Sequence, residues 1–108
     1  MSQKNILFVM YDQLRFDYLS CAGHKTLHTP NFDQVAARGV RFTNAYVQSP
    51  VCGASRMSTY SGRYVASHGA GWNKFPIRVG EVTLGDHLRQ NGMSCWLLGK
   101  THICLLYT

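Results

Sequence analysis

Apolar and polar residues change period several times along this chain, and each change marks the expected end of an element. Ile6-Leu7-Phe8-Val9-Met10 is apolar at every position and ends at Tyr11-Asp12-Gln13. A run this short and continuous predicts a strand buried on both faces, as in a parallel sheet covered by helices. No period holds from Leu14 to Thr29, where Arg15, Asp17, Cys21, Gly23, His24 and His28 read as a loop with a short helical turn. The two histidines read as surface or hydrogen-bonded residues. Thr29-Pro30 then predicts a helix, with Thr as cap, Pro in the first turn, an inner stripe of Phe32, Val35 and Ala36, and Gly39 as the stop. Val40 to Val47 predicts a second strand.

Beyond Pro50, the stretch from Cys52 to Arg63 predicts a helix entered from a loop. Ser67-His68-Gly69-Ala70-Gly71-Trp72-Asn73-Lys74 is too glycine-rich for a regular element and predicts a loop that could fold over a site. Thr83 caps the next helix, with Asp86 at the capping-box position, Leu84 and Leu88 inward and Gly92 as the stop. Ser94 to Leu98 predicts a third strand, ending in Gly99-Lys100-Thr101-His102. The pattern as a whole predicts an α/β chain, a mostly parallel sheet flanked by helices.

Composition narrows the class. The chain has 108 residues, 45% hydrophobic and 15% charged, which suits one small globular domain and neither disorder nor a membrane. No segment approaches the roughly 20 apolar residues of a membrane span. The net charge of +6 is carried by scattered Lys and Arg, without the basic stripe that nucleic acid requires, and it suits an anionic small-molecule substrate. Cys21, Cys52, Cys95 and Cys104 show neither C-x-x-C nor zinc-ligand spacing. The apolar run at 6–10 is too short for a signal peptide, which predicts a soluble cytoplasmic protein.

Candidate chemistry falls at the predicted element ends. In open α/β sheets ligands bind beyond the carboxyl ends of strands, where Asp12 and Gln13 would offer a hard carboxylate oxygen and a neutral amide oxygen. Cys52 begins a helix, near free N–H groups that favour an anion, and Arg56 follows one turn along the same face. Lys100 and His102 flank Thr101, so on extended backbone both point the same way.

Cys52-x-x-Ser55-Arg56 followed by Ser61-Gly62-Arg63 resembles the sulfatase signature, C-x-P/A-S-R-x-x-x-x-T-G-R. Ala54 stands where proline is commoner, and Tyr60-Ser61 where Leu-Thr is usual. The stretch Thr29 to Tyr46 is similar to the family's T-P-N-L-D-x-L-A-x-x-G-V-x-F-x-N-A-Y, and Gly99-Lys100-Thr101-His102 to its G-K-x-H. The resemblance runs from Asn5 to His102 yet matches only the beginning of a family member. It implies that residues 1–108 are the N-terminal portion of a sulfatase-like catalytic domain, its sheet incomplete, with 103–108 as a non-native tail.

That resemblance further implies a sulfuric ester hydrolase in which a maturation enzyme oxidises Cys52 to formylglycine. A divalent cation, calcium first with magnesium or manganese as alternatives, would be held by Asp12, Gln13 and residue 52. Arg56 would hold the nucleophile, Lys100 would bind a sulfate oxygen, and His102 would orient or deprotonate the second hydroxyl. Asn73 matches a substrate-contacting position. Two other readings stay open: a phosphonate monoester or phosphodiester hydrolase of the same superfamily, against which the charged Lys100-x-His102 argues, and an inert truncated fragment.

Overall fold

The structure, a computed structural model, describes residues 5–103. The predicted tail lies outside them except for its first residue, as does Cys104. Helices α1 (Pro30–Arg38), α2 (Cys52–Ser61), α3 (Val65–His68) and α4 (Leu84–Gln90) are joined by irregular chain and preceded by two 3-10 turns, Phe16–Tyr18 and Ser20–Ala22.

The predicted sheet is absent. Among the described residues there is no strand, and 6–10, 40–47 and 94–98 all run as irregular backbone. Most of their apolar side chains are bare: Leu7 is 88% exposed, Tyr46 88% and Leu98 89%. The α/β expectation is therefore corrected to helix and irregular chain. The physical reason is that an apolar run records what a segment could bury, whereas a strand exists only where neighbours take up its N–H and C=O groups. For parallel strands those neighbours come from a distant crossover, and no such ladder forms among the described residues.

The chain divides into two compact units, Met1–Ala45 and Tyr46–Thr108. In the first, Ser20 ties the second 3-10 turn to the start of α1. Its N–H donates to Thr29 Oγ1 at 2.9 Å, its hydroxyl donates to Asp33 Oδ2 at 2.7 Å, and its oxygen accepts from the Thr29 N–H at 2.9 Å. Because Ser20 has one hydroxyl proton and gives it to Asp33, Thr29 is the donor in the 2.8 Å contact between the two hydroxyls. Thr29 thus precedes α1 without capping it by side chain, and Pro30 fills the first helical position as expected. Phe32 packs its ring against Tyr11 at 5.1 Å. Val35, predicted inward, is 72% exposed. Gly39 does end α1, on extended backbone rather than in the left-handed region.

In the second unit α2 packs against α3 and α4. The fully buried hydrophobic residues described are Ala54, Met57 and Ala70, and they lie beside three buried polar ones, Arg56, Ser58 and His68. The helix ends follow local chemistry. Gly62 closes α2 at φ 66°, left-handed backbone that residues with a β-carbon adopt at a cost, so the glycine of the Ser-Gly-Arg triplet is the helix stop. Thr83 and Asp86 form the predicted capping box of α4: the Asp86 N–H donates to Thr83 Oγ1, and the Thr83 N–H donates back to Asp86 Oδ2.

Candidate active site

The first turn of α2 lacks a capping side chain of its own, because Val51 precedes it. The acceptor comes instead from the loop after α3. Asn73 Oδ1 accepts the Gly53 N–H at 2.8 Å and the Cys52 Sγ–H at 3.2 Å. The approach is so close that a β-carbon on Gly53 would lie 2.8 Å from that oxygen and 2.9 Å from Asn73 Cα. Cys52 is half-buried at this corner.

One turn along α2, Arg56 is only 6% exposed. Its Nη1 donates to the Lys100 backbone carbonyl oxygen at 2.6 Å and to Tyr60 Oη at 3.4 Å. The bond to Lys100 holds the Gly99–His102 segment on the helix that starts with Cys52, so Cys52, Arg56, Asn73 and Lys100 belong to one connected assembly. His102 adopts φ 54° and has a buried Nδ1 with no hydrogen-bond partner.

The buried pair Ser58 and His68 resembles a nucleophile and its base, yet its protons are arranged otherwise. The Ala70 N–H donates to His68 Nδ1 at 3.1 Å, so the ring proton is on Nε2 and is donated to Ser58 Oγ at 2.8 Å. A ring nitrogen that is already donating cannot accept the serine proton. Burial holds the His68 pKa below the usual imidazole value, Glu81 opposes that shift and Arg63 adds to it. Arg63 is itself ion-paired with Glu81, whose side chain is 6% exposed. The pair therefore fastens α3 to α2. Sequence reasoning assigned no role to Ser58 or Glu81, and nothing in their spacing marks them.

In the first unit, Asp12 and Gln13 are exposed at the end of the apolar run. Gln13 takes φ 58°. Left-handed backbone costs a residue with a side chain roughly 1–2 kcal/mol. Among the described residues, the non-glycine positions that carry this cost are Gln13 and His102, both candidate site residues. Backbone strain of this kind gathers where side-chain placement matters more than stability. No group of three or more His, Cys, Asp or Glu with metal-holding geometry occurs among the described residues, and no helix there is long and apolar enough to cross a membrane.

Comparison with known proteins identifies the family. The sulfatase family model matches residues 4–106, and the chain belongs to the sulfatase family. It is 36% identical to human steryl-sulfatase over 94% of this chain and 19% of that protein. It is 35% identical to an arylsulfatase of Clostridium perfringens over 92% of this chain and 21% of that protein. With the uncharacterized sulfatase YidJ of Escherichia coli it shares 34% identity over 95% of this chain and 21% of that protein. The chain spans about a fifth of the length of these relatives.

Proposed function

We propose that this chain carries the nucleophile-bearing part of a sulfuric ester hydrolase. The observation that supports it best is the Arg56 bond to the Lys100 carbonyl oxygen, which joins the Cys52-x-x-Ser55-Arg56 segment to the Gly99-Lys100-Thr101-His102 segment. Names of relatives such as steryl-sulfatase and arylsulfatase point to sulfate esters as the substrate class.

Each residue has a role that its chemistry suits. Residue 52, converted from Cys to formylglycine by a maturation enzyme using an external oxidant, would supply a hydrated aldehyde: one hydroxyl attacks sulfur as the ester's alcohol leaves, and loss of the other hydroxyl's proton re-forms the carbonyl and expels sulfate. Arg56, buried and permanently charged, stabilises negative charge beside residue 52. Lys100 binds a sulfate oxygen, and His102 takes or orients a hydroxyl proton. A divalent cation of the calcium, magnesium or manganese type, when bound, polarises the sulfate oxygens. Asp12 and Gln13 fit such an ion as hard oxygen donors, although two residues make up only part of its shell.

Two measurements on a longer form carrying this segment test the reading. Peptide mass spectrometry after co-expression with a maturation enzyme should find residue 52 as formylglycine. Lys100→Ala should lower aryl sulfate turnover at least tenfold, since one charged contact to the transition state contributes roughly 2–4 kcal/mol. An unmodified thiol throughout, or turnover within twofold of the parent, would overturn it.

A further inference from the structure

Building on the reading of Cys52 as the reacting residue, we propose that Asn73 is the positioning residue of this site. One amide oxygen closes the N-terminus of α2 and fixes the direction of the Cys52 side chain, and Gly53 is the residue that permits its approach. The orientation of the Asn73 amide follows from its surroundings. The Gly53 N–H is a donor, so the amide atom 2.8 Å away must be the oxygen, because the nitrogen would set donor against donor. That oxygen takes a second donor from Cys52 Sγ at 3.2 Å, which engages both of its lone pairs.

Helix N-termini normally obtain such an acceptor from the residue before the first turn. Here Val51 has none to offer, and the role passes to Asn73, 20 positions beyond the Gly53 N–H that it accepts. Cap and side-chain director are therefore the same atom, and the loop after α3 cannot shift without releasing both. The geometry also bears on the expectation that Asn73 contacts substrate. A carbonyl oxygen holding two donors does not face a sulfate oxygen, so a substrate contact by Asn73 would fall to the N–H donors of its amide nitrogen. Gly53 completes the device, since a β-carbon there would overlap the Asn73 oxygen and Cα.

The test uses the 108-residue chain and needs no turnover. In isotope-labelled Asn73→Ala, Gly53 amide exchange should accelerate about five- to tenfold, the population change expected for a lost cap. Alkylation of Cys52 by iodoacetamide should rise relative to Cys95, the internal reference. Asn73→Asp keeps the acceptor and should return Gly53 exchange to within about twofold of the parent, a rescue that mere loop packing would not give. Gly53→Ala should reproduce the Asn73→Ala pattern. Gly53 exchange and Cys52 alkylation both unchanged in Asn73→Ala would overturn the proposal, as would an Asp variant no better protected than Ala. If Asn73→Ala loses its helix, Asn73→Asp alone decides: parent-like protection supports the acceptor role, and collapse of both variants refutes it. Failure to find formylglycine in a longer form would count against the sulfatase chemistry and leave this result standing.

Discussion

Arg56 Nη1 lies 2.6 Å from the Lys100 carbonyl oxygen, across 44 residues of chain. A permanent charge thus holds a backbone atom, and the candidate sulfate-binding lysine is located by its own main chain. The bond is charge-assisted and part-buried, with its donor on the buried Arg56, and a hydrogen bond to a charged group contributes more than a neutral one.

Replacing Arg56 by Lys keeps the charge but removes the planar fork that reaches Lys100 and Tyr60 together. Arg56→Lys should destabilise the fold by roughly 1.5–3 kcal/mol, the range for a hydrogen bond to a charged group. Urea unfolding measures this directly. Amide exchange at Thr101 and His102 should quicken at the same time, and a parent-like midpoint with unchanged exchange would show that the contact is incidental.

The strained backbone at Gln13 and His102 sets local stability against placement. Gly at either position relieves roughly 1–2 kcal/mol of left-handed strain and loses about 0.5–1 kcal/mol to the freer unfolded chain. Gln13→Gly and His102→Gly should accordingly leave stability unchanged or raise it by up to about 1.5 kcal/mol. A clear loss on thermal unfolding would mean that these side chains hold the fold. Gly62→Ala runs the opposite way: it adds strain at φ 66° and should cost about 1–2 kcal/mol.

What the sequence discloses divides along one physical line. Helix signals are local, so Pro30, Gly39 and the Thr83–Asp86 capping box could all be read in advance and are found in place. Strands are completed by partners remote in sequence, and the apolar runs at 6–10, 40–47 and 94–98 gave no information on whether such partners exist. The site shows the same division. Arg56 could be placed one turn from Cys52 by spacing alone, but its acceptor is a main-chain oxygen, and every residue has one. Asn73 is expected from its position to contact substrate, and that its oxygen turns toward Cys52 can be read only from the fold. His68, which falls in a stretch expected to be a glycine-rich loop, instead ends α3 and is fully buried against Ser58, a partner that no motif announces.

His68 makes stability depend on pH. Its folded pKa is lowered by burial, reinforced by Arg63 and opposed by Glu81, so the neutral ring is favoured in the fold. The Ala70 N–H aimed at Nδ1 leaves no room for a second ring proton. Its contribution is therefore fully present above the unfolded value near 6.5 and is lost as pH falls below it toward the folded pKa. Urea midpoints should drop between about pH 7 and 5, and His68→Gln should flatten that drop while lowering stability overall. An equal slope in the variant would assign the dependence to groups other than His68, whereas Asp86, whose pKa is lowered by its hydrogen bonds from Thr83, would act only below the ordinary carboxylate range.

Metal affinity provides the last prediction. A calcium ion takes roughly 6–8 oxygen ligands, and magnesium demands near-octahedral geometry. Asp12 and Gln13 provide one carboxylate and one amide, and no cluster of three or more acidic, His or Cys side chains with metal-holding geometry occurs among the described residues. The net charge of +6 opposes cation capture at long range. The 108-residue chain should accordingly bind calcium or magnesium no more tightly than about millimolar, the weak end of protein calcium sites, and should show no aryl sulfate turnover. Isothermal titration with each ion, run beside Asp12→Asn, measures it: weak binding reduced further in the variant identifies Asp12 as a donor. Micromolar affinity that survives Asp12→Asn would place the ion elsewhere and remove Asp12 and Gln13 from the proposed chemistry.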